Sequence, residues 1–256
     1  MDEVEDIIRL CGRALAAQMG ETPGFEVHMA HNCVLAFTGE PTADANRLIM
    51  GPSPDAEAFF TRSIARARER SLPLTAVMIP DVEVAMAPVA TRLGLTPVGR
   101  APLMVLRPGT PVQPGRPVRI TRALGPELVG IAGDLITAAF DEPRDLVART
   151  LEACMTETSG VDTWIAWGDD RPLGVVSVTP TGNTAGITCM GTAPEHQRGG
   201  VGRALLTQVM ADYRARGVER FYLGATEAGL PLYASLGFET IAVLSAWLLP
   251  DSAGAG

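Results

Sequence analysis

The alternation of apolar and polar positions predicts a chain in which helices and strands take turns. A helix is expected over Val4–Met19, then strands around Phe25–Met29, Cys33–Thr38 and Arg47–Met50. The next helix should run from Ser53, as N-cap with Pro54 at N1, to Arg70. Asp55 and Glu57 stand at its start and Arg62, Arg66, Arg68 and Arg70 towards its end, the sense that suits the helix dipole, so the basic run reads as a solvated helix end. A strand over Leu74–Ile79, a helix over Val84–Leu93 and a strand over Val98–Leu106 complete the first part.

The second part follows the same order. Strand Val118–Thr121 precedes helices Gly125–Phe140 and Arg144–Thr156, and strands are expected over Asp162–Gly168, Leu173–Thr179 and Thr184–Gly191. From Gly200 to Arg216, Val201, Leu205, Leu206, Val209, Met210 and Tyr213 share one helical face, and Gly217 is placed to end the helix. Strand Arg220–Gly224, a short helix Glu227–Leu236 and strand Thr240–Leu248 close the chain. Between the parts, Arg107–Pro117 carries four prolines, which block a helix or a central strand, and reads as an extended linker. Ala90-Thr-Arg-Leu-Gly-Leu95 and Tyr233-Ala-Ser-Leu-Gly-Phe238 each lead into an apolar strand. Aligning Gly94 with Gly237 suggests two distant copies about 143 residues apart. The class expected is α/β with mixed sheets, in two domains.

Composition narrows the partners. The net charge of −8 argues against nucleic acid, because binding phosphates along a strand requires a basic face. No stretch approaches the roughly 20 apolar residues of a membrane helix, and the acidic start, with Arg9 and Arg13 breaking the first apolar run, does not read as a signal peptide. Cys11, Cys33, Cys154 and Cys189 form no C-x-x-C pair, sit among apolar neighbours and read as buried free thiols in a reducing cytoplasm, with neither disulfide nor zinc site expected. Every one of the 21 basic residues is arginine, so no lysine here could be acylated.

The chemistry points to Thr184–Leu206, read as strand, glycine-rich turn and helix start. Gly199, Gly200 and Gly202 keep side chains off the turn, the first helical N–H groups have no partner within the helix, and Arg198 and Arg203 add charge. Such a turn suits a phosphate or diphosphate. It is not a Walker loop, since no Lys follows, nor the dinucleotide fingerprint, since Leu205 stands where a third Gly belongs. Gln197-Arg198-Gly199-Gly200-Val201-Gly202 resembles the Q/R-x-x-G-x-G/A signature of the GCN5-related N-acetyltransferase (GNAT) superfamily, and Leu230–Phe238, with Tyr233 before Leu-Gly-Phe, resembles that family's second segment. The resemblance covers the second part strongly and the first only by element order.

This resemblance implies a GNAT fold in tandem: residues 1–106 as a degenerate domain without acetyl-CoA, 107–117 as linker and 118–249 as the catalytic domain. Two strands should part to admit the pantetheine arm of acetyl-CoA, with backbone groups at Met190, Gly191 and Thr192 bonding the arm and the thioester carbonyl. A backbone N–H aimed at that carbonyl would stabilise the oxyanion formed when an amine attacks. Arg198 to Arg203 would hold the diphosphate. Tyr233 occupies the position of the general acid for the thiolate, the alternative being a core tyrosine. The strand Thr184–Gly191 has no Glu, Asp or His to serve as base; His196 reads as structural, and Thr226 stands where many relatives have an Asn that contacts the arm. Asp141 and Glu142, in the connection after Phe140, could hold a cationic amine, though a solvated loop is the simpler reading. In the first part, Gly51-Pro-Ser-Pro54 lacks N–H donors at the equivalent turn and Ala90 replaces Tyr233, so that copy is expected to pack on the second without binding the donor. The expected activity is acetyl transfer from acetyl-CoA to the primary amine of a small molecule, by direct attack in a ternary complex. The alternatives are a non-catalytic acyl-CoA-binding regulatory module or a protein N-acetyltransferase. Expected partners are acetyl-CoA and an amine, with a homodimer as a further option; metal, nucleic acid and membrane are not expected.

Overall fold

The computed structural model describes residues 2–19, 24–154 and 160–251. Its elements alternate as the polarity pattern requires, and the chain divides into two compact units, Met1–Leu103 with Thr240–Gly256, and Met104–Glu239.

The first unit holds α1 (Glu3–Met19), β1 (Glu26–Ala30), β2 (Cys33–Phe37), β3 (Arg47–Met50), α2 (Ala56–Glu69), β4 (Leu74–Met78), α3 (Pro80–Arg92) and most of β5 (Thr96–Leu106). Strands β1, β2 and β3 pair antiparallel in that order, and β3 runs parallel to β4. Every residue of β2 is buried, as a continuous apolar run in mid-sheet predicts. The α2 start differs from expectation. The Ser53 hydroxyl accepts the Asp55 N–H, forming a turn that delays the helix, and Asp55 becomes its N-cap residue. The β11 strand (Glu239–Leu249) belongs by packing to this unit from Thr240 onward, with Ser245–Leu249 antiparallel to Leu74–Met78. These compact units do not share the bounds expected for the domains, because β11 finds its partner in β4.

The second unit contains the end of β5, β6 (Arg119–Arg122), α4 (Pro126–Phe140), α5 (Arg144–Cys154), β7 (Asp162–Gly168), β8 (Arg171–Thr181), β9 (Thr184–Thr192), α6 (Val201–Ala215), β10 (Arg220–Gly224) and α7 (Leu230–Ser235). Thr156, expected at the end of α5, lies outside the described residues. Strand order is β10-β9-β8-β7-β6, antiparallel except for β9 and β10. Successive residues serve opposite faces: Ile165 and Val175 pack with α4 and α5, whereas Ala166 and Val176 pack with α6. On α6, Leu205, Leu206, Val209, Met210 and Tyr213 are all within 1 % of full burial, the face its periodicity predicted. Burying each such side chain stabilises the fold by about 1.5–3 kcal/mol, which fixes the start of α6 against the sheet.

Candidate active site

The site is built where β9 and β10 stop pairing. Their parallel ladder joins Thr184–Arg220, Ala185–Phe221 and Gly186–Tyr222, although β9 runs on to Thr192. Gly186 gives way to the Tyr222 ring, since a Cβ there would stand 2.7 Å from the hydroxyl oxygen. Against β8 the register steps from Ser177–Thr188 to Val175–Gly191, so β9 carries one extra residue. Cys189, at φ 49°, is the residue that absorbs this bulge, and it is exposed where burial was expected, while Cys11 is only half-buried. Bulge and gap open β9 along Met190–Thr192. Gly191 has no room for a side chain: a Cβ would lie 2.6 Å from that of Ala139 at the end of α4.

After a single 3-10 turn at Pro194–His196 the chain reaches the glycine turn. Arg198 and Gly200 both hold positive φ, 61° and 79°, on either side of Gly199. Gly200 is the N-cap of α6, and no side chain caps the helix. The first intrahelical bond is Ala204 N–H to Gly200 O at 3.0 Å, which leaves the N–H groups of Val201, Gly202 and Arg203 without a helical acceptor. The first turn of α6 contains no acidic residue. A Cβ on Gly202 would come within 3.0 Å of Met190 Cε and 3.2 Å of Leu232 Cδ2. Gln197 Nε2 donates to Thr192 O at 3.3 Å, closing the turn back onto the end of β9. Arg203 Nη2 donates to Ser235 Oγ at 2.5 Å and Ser235 Oγ donates to Leu232 O at 2.6 Å, which ties α6 to α7.

One cavity of about 440 Å³ unites most of these groups. Met190, Gly191 and Thr192 border it from β9, Gln197, Arg198 and Gly200 from the turn, and Val201, Gly202 and Arg203 from α6. Tyr233 borders it from α7. Gly199 does not, and neither do Asp141 and Glu142; from that connection Ala139 and Phe140 reach the cavity instead. His196 and Thr226 also line it. The Thr226 hydroxyl accepts the Gly229 N–H at 3.1 Å, helping to start α7.

Tyr233 is 7 % exposed, and burial pushes its phenol up to about 12. Its ring stands edge-on to Phe238 at 5.9 Å, and Gly229 makes space for it, a Cβ there falling 2.8 Å from the Tyr233 ring. The hydroxyl makes no hydrogen bond to another described residue. The bulge at Cys189 and the contact of α4 with Gly191 were not anticipated from sequence. Gly229, one helical turn before Tyr233, was a readable sign of a ring needing space. Among the described residues no group of three or more His, Cys, Asp or Glu is placed to hold a metal ion. Nor is any described helix long and apolar enough to cross a membrane.

Comparison with known proteins bears on the fold and on one segment of the chain. Residues 159–240 match the family model of the acetyltransferase (GNAT) domain. No curated protein matches the chain. Among solved structures, a GCN5-related N-acetyltransferase from Kribbella flavida superposes with a TM-score of 0.73 at 18 % identity, over 98 % of this chain and 96 % of that one. A tandem GNAT protein from the clavulanic acid biosynthesis pathway gives 0.62 at 16 %, over 97 % and 94 %. A GCN5-related N-acetyltransferase from Sphaerobacter thermophilus gives 0.58 at 16 %, over 85 % and 80 %. At such identities the structures speak for the fold, and the family match speaks for the segment that carries the glycine turn and Tyr233. The chain thus has the fold of these GNAT structures, and its residues 159–240 match the acetyltransferase (GNAT) domain model.

Proposed function

We propose that the second unit binds acetyl-CoA in the cavity between β9, α6 and α7 and transfers its acetyl group to the primary amine of a small molecule, both substrates being bound together. The observation that carries this reading is the glycine turn opening α6: three helical N–H groups without acceptors, an uncapped and acid-free first turn, and parted strands beside it. A diphosphate satisfies the N–H groups and the bare helix start, and the parted strands leave room for the pantetheine arm. Gly202 has no Cβ where Met190 and Leu232 press on it, which lets the start of α6 sit close against β9 and α7.

Acetyl-CoA supplies an acetyl group already activated as a thioester. The chain holds and orients it. N–H groups of Val201, Gly202 and Arg203, with the Arg198 guanidinium, hold the diphosphate; backbone groups along Met190–Thr192, exposed by the bulge, bond the arm and meet the thioester oxygen. Holding donor and amine in one cleft removes much of the entropic barrier to their reaction. The Tyr233 phenol, kept neutral by burial, stands ready to protonate the departing thiolate. No carboxylate borders the cavity among the described residues and His196 is read as structural, so the amine proton is taken to leave through water.

Calorimetry with acetyl-CoA, followed by an amine panel read by thiol release, tests the reading. Binding together with amine-dependent release of CoA is expected. No uptake at about 1 mM ligand, a binding energy under roughly 4 kcal/mol, would overturn it. Uptake with no release for any amine, peptide amines included, would leave an acyl-CoA-binding module; release with peptides alone would move the acceptor to protein.

A further inference from the structure

A second cavity, of about 360 Å³, lies on the other flank of the α6 start. Gly200, Val201 and Arg203 border both cavities, and Gly199, absent from the first, borders this one. Its far wall is the segment Gly115–Arg119 and the end of the β7–β8 hairpin at Trp167–Asp169. We propose that this cavity receives the nucleotide end of the acyl-CoA and that Arg116 is the cation for its 3′-phosphate. The inference rests on the acyl-CoA reading of the first cavity.

The diphosphate lies in the middle of a CoA molecule. If it sits on the turn shared by both cavities, the pantetheine arm leaves on one side, towards Met190 and Tyr233, and the nucleotide must leave elsewhere. The second cavity is adjacent to the same turn. The segment carrying Arg116 is held firmly beside it. The Gly115 N–H donates to Thr207 Oγ1 at 3.0 Å, and the Val118 N–H to Gln208 Oε1 at 3.4 Å. Gly115 lies so close to α6 that a Cβ on it would be 2.6 Å from Ala204 Cα. A residue read from sequence only as part of a linker is thereby fixed against the anion-binding turn.

The other arginines at this cavity are committed. Arg119 Nη2 donates to the Asp169 carbonyl at 2.9 Å, and its guanidinium stacks on Trp167 at 4.8 Å; Arg203 donates to Ser235. Arg116 is exposed and makes no hydrogen bond or ion pair with another described residue. Asp169 also borders the cavity, so its carboxylate disfavours a phosphate near the hairpin and favours one on the Arg116 side.

The full-length protein, wild type and Arg116→Ala, is titrated calorimetrically with CoA and with 3′-dephospho-CoA. The wild type should prefer CoA by about tenfold, the worth of one charge-assisted phosphate contact, and Arg116→Ala should lose that preference while binding dephospho-CoA as before. Arg116→Lys should keep part of it. A preference that survives in Arg116→Ala, or an equal loss on both ligands, overturns the proposal. A wild type that binds both ligands equally well also overturns it but leaves the acyl-CoA reading standing; one that binds neither overturns that reading and this proposal with it.

Discussion

At the scale of single residues, burial and charge set what each titrating group does. The Tyr233 phenol, raised to about 12 by desolvation, keeps its proton throughout the range in which an amine substrate loses its own. If it donates that proton to the thiolate, Tyr233→Phe should lower kcat about tenfold or more and leave the acetyl-CoA Kd nearly unchanged. Steady-state rates beside calorimetry check this, and equal kcat in the two proteins would make Tyr233 a core residue. Glu26 shows the opposite shift. Hydrogen bonds from Arg66 and His28, with Arg70 paired to the same carboxylate, lower it from 4.5 to about 2. A depressed carboxylate stabilises the fold above its unfolded value, and that contribution is lost as pH falls from about 4.5 through about 2. Its arginine partners are partly exposed, so screening leaves it worth about 1 kcal/mol. Glu26→Gln should therefore be less stable than wild type near neutrality by about that amount, with the gap closing as pH falls towards 2. Denaturant melts at several pH values test it; a gap that stays constant would mean Glu26 acts through packing.

At the scale of elements, α6 links a reactive end to a buried anchor. Near its C-terminus the Tyr213 hydroxyl, 1 % exposed, donates to Asp162 on β7, which also pairs with Arg122 on β6. The Arg216 guanidinium stacks on the Tyr213 ring at 5.0 Å. Tyr213→Phe takes a donor from a buried carboxylate and should cost about 1–3 kcal/mol of stability without changing the acetyl-CoA Kd, because the glycine turn is at the other end of the helix. A weakened Kd at unchanged stability would show that this network governs the turn. The strand, turn and helix start from Thr184 to Ala215 were legible because their signals are local: apolar periodicity on α6 and three glycines where side chains would intrude. The bulge at Cys189 was not, because an extra residue on β9 exists only relative to the register of β8. For the same reason the sequence pattern identified β11 as a strand but could not assign it to β4, since pairing partners far apart in the chain leave no local mark. Asp141 and Glu142 were candidates by charge, but the left-handed turn at Asp141, φ 56°, ends α4 so that Phe140 and Ala139 line the cavity.

At the scale of the whole molecule, two units of related element order differ at the same place. In the first, β3 stays paired with β4 along its entire length, Arg47–Thr75 to Met50–Met78, and the strands do not part as β9 and β10 do. Its turn is closed by its own bonds: the Gly51 N–H donates to Asn32 O at 3.0 Å, and Asn32 Nδ2 donates to Pro52 O at 3.1 Å. Pro52 and Pro54 have no N–H to offer. The helix that follows is acidic where α6 is bare, with Asp55 at the N-cap and Glu57 in the first turn, so its dipole is already met by carboxylates that repel a phosphate. Each feature removes a different requirement of a CoA site, so restoring one would not restore binding. The first unit is therefore proposed to bind no acyl-CoA, and titration of the full chain should give one CoA per polypeptide. Gly202→Val, whose branched side chain would press on Met190 and Leu232, should abolish that single binding event while the first unit's structure stays intact. A second binding event, or one that persists in Gly202→Val, would place a donor site in the first unit and make both units candidates for catalysis.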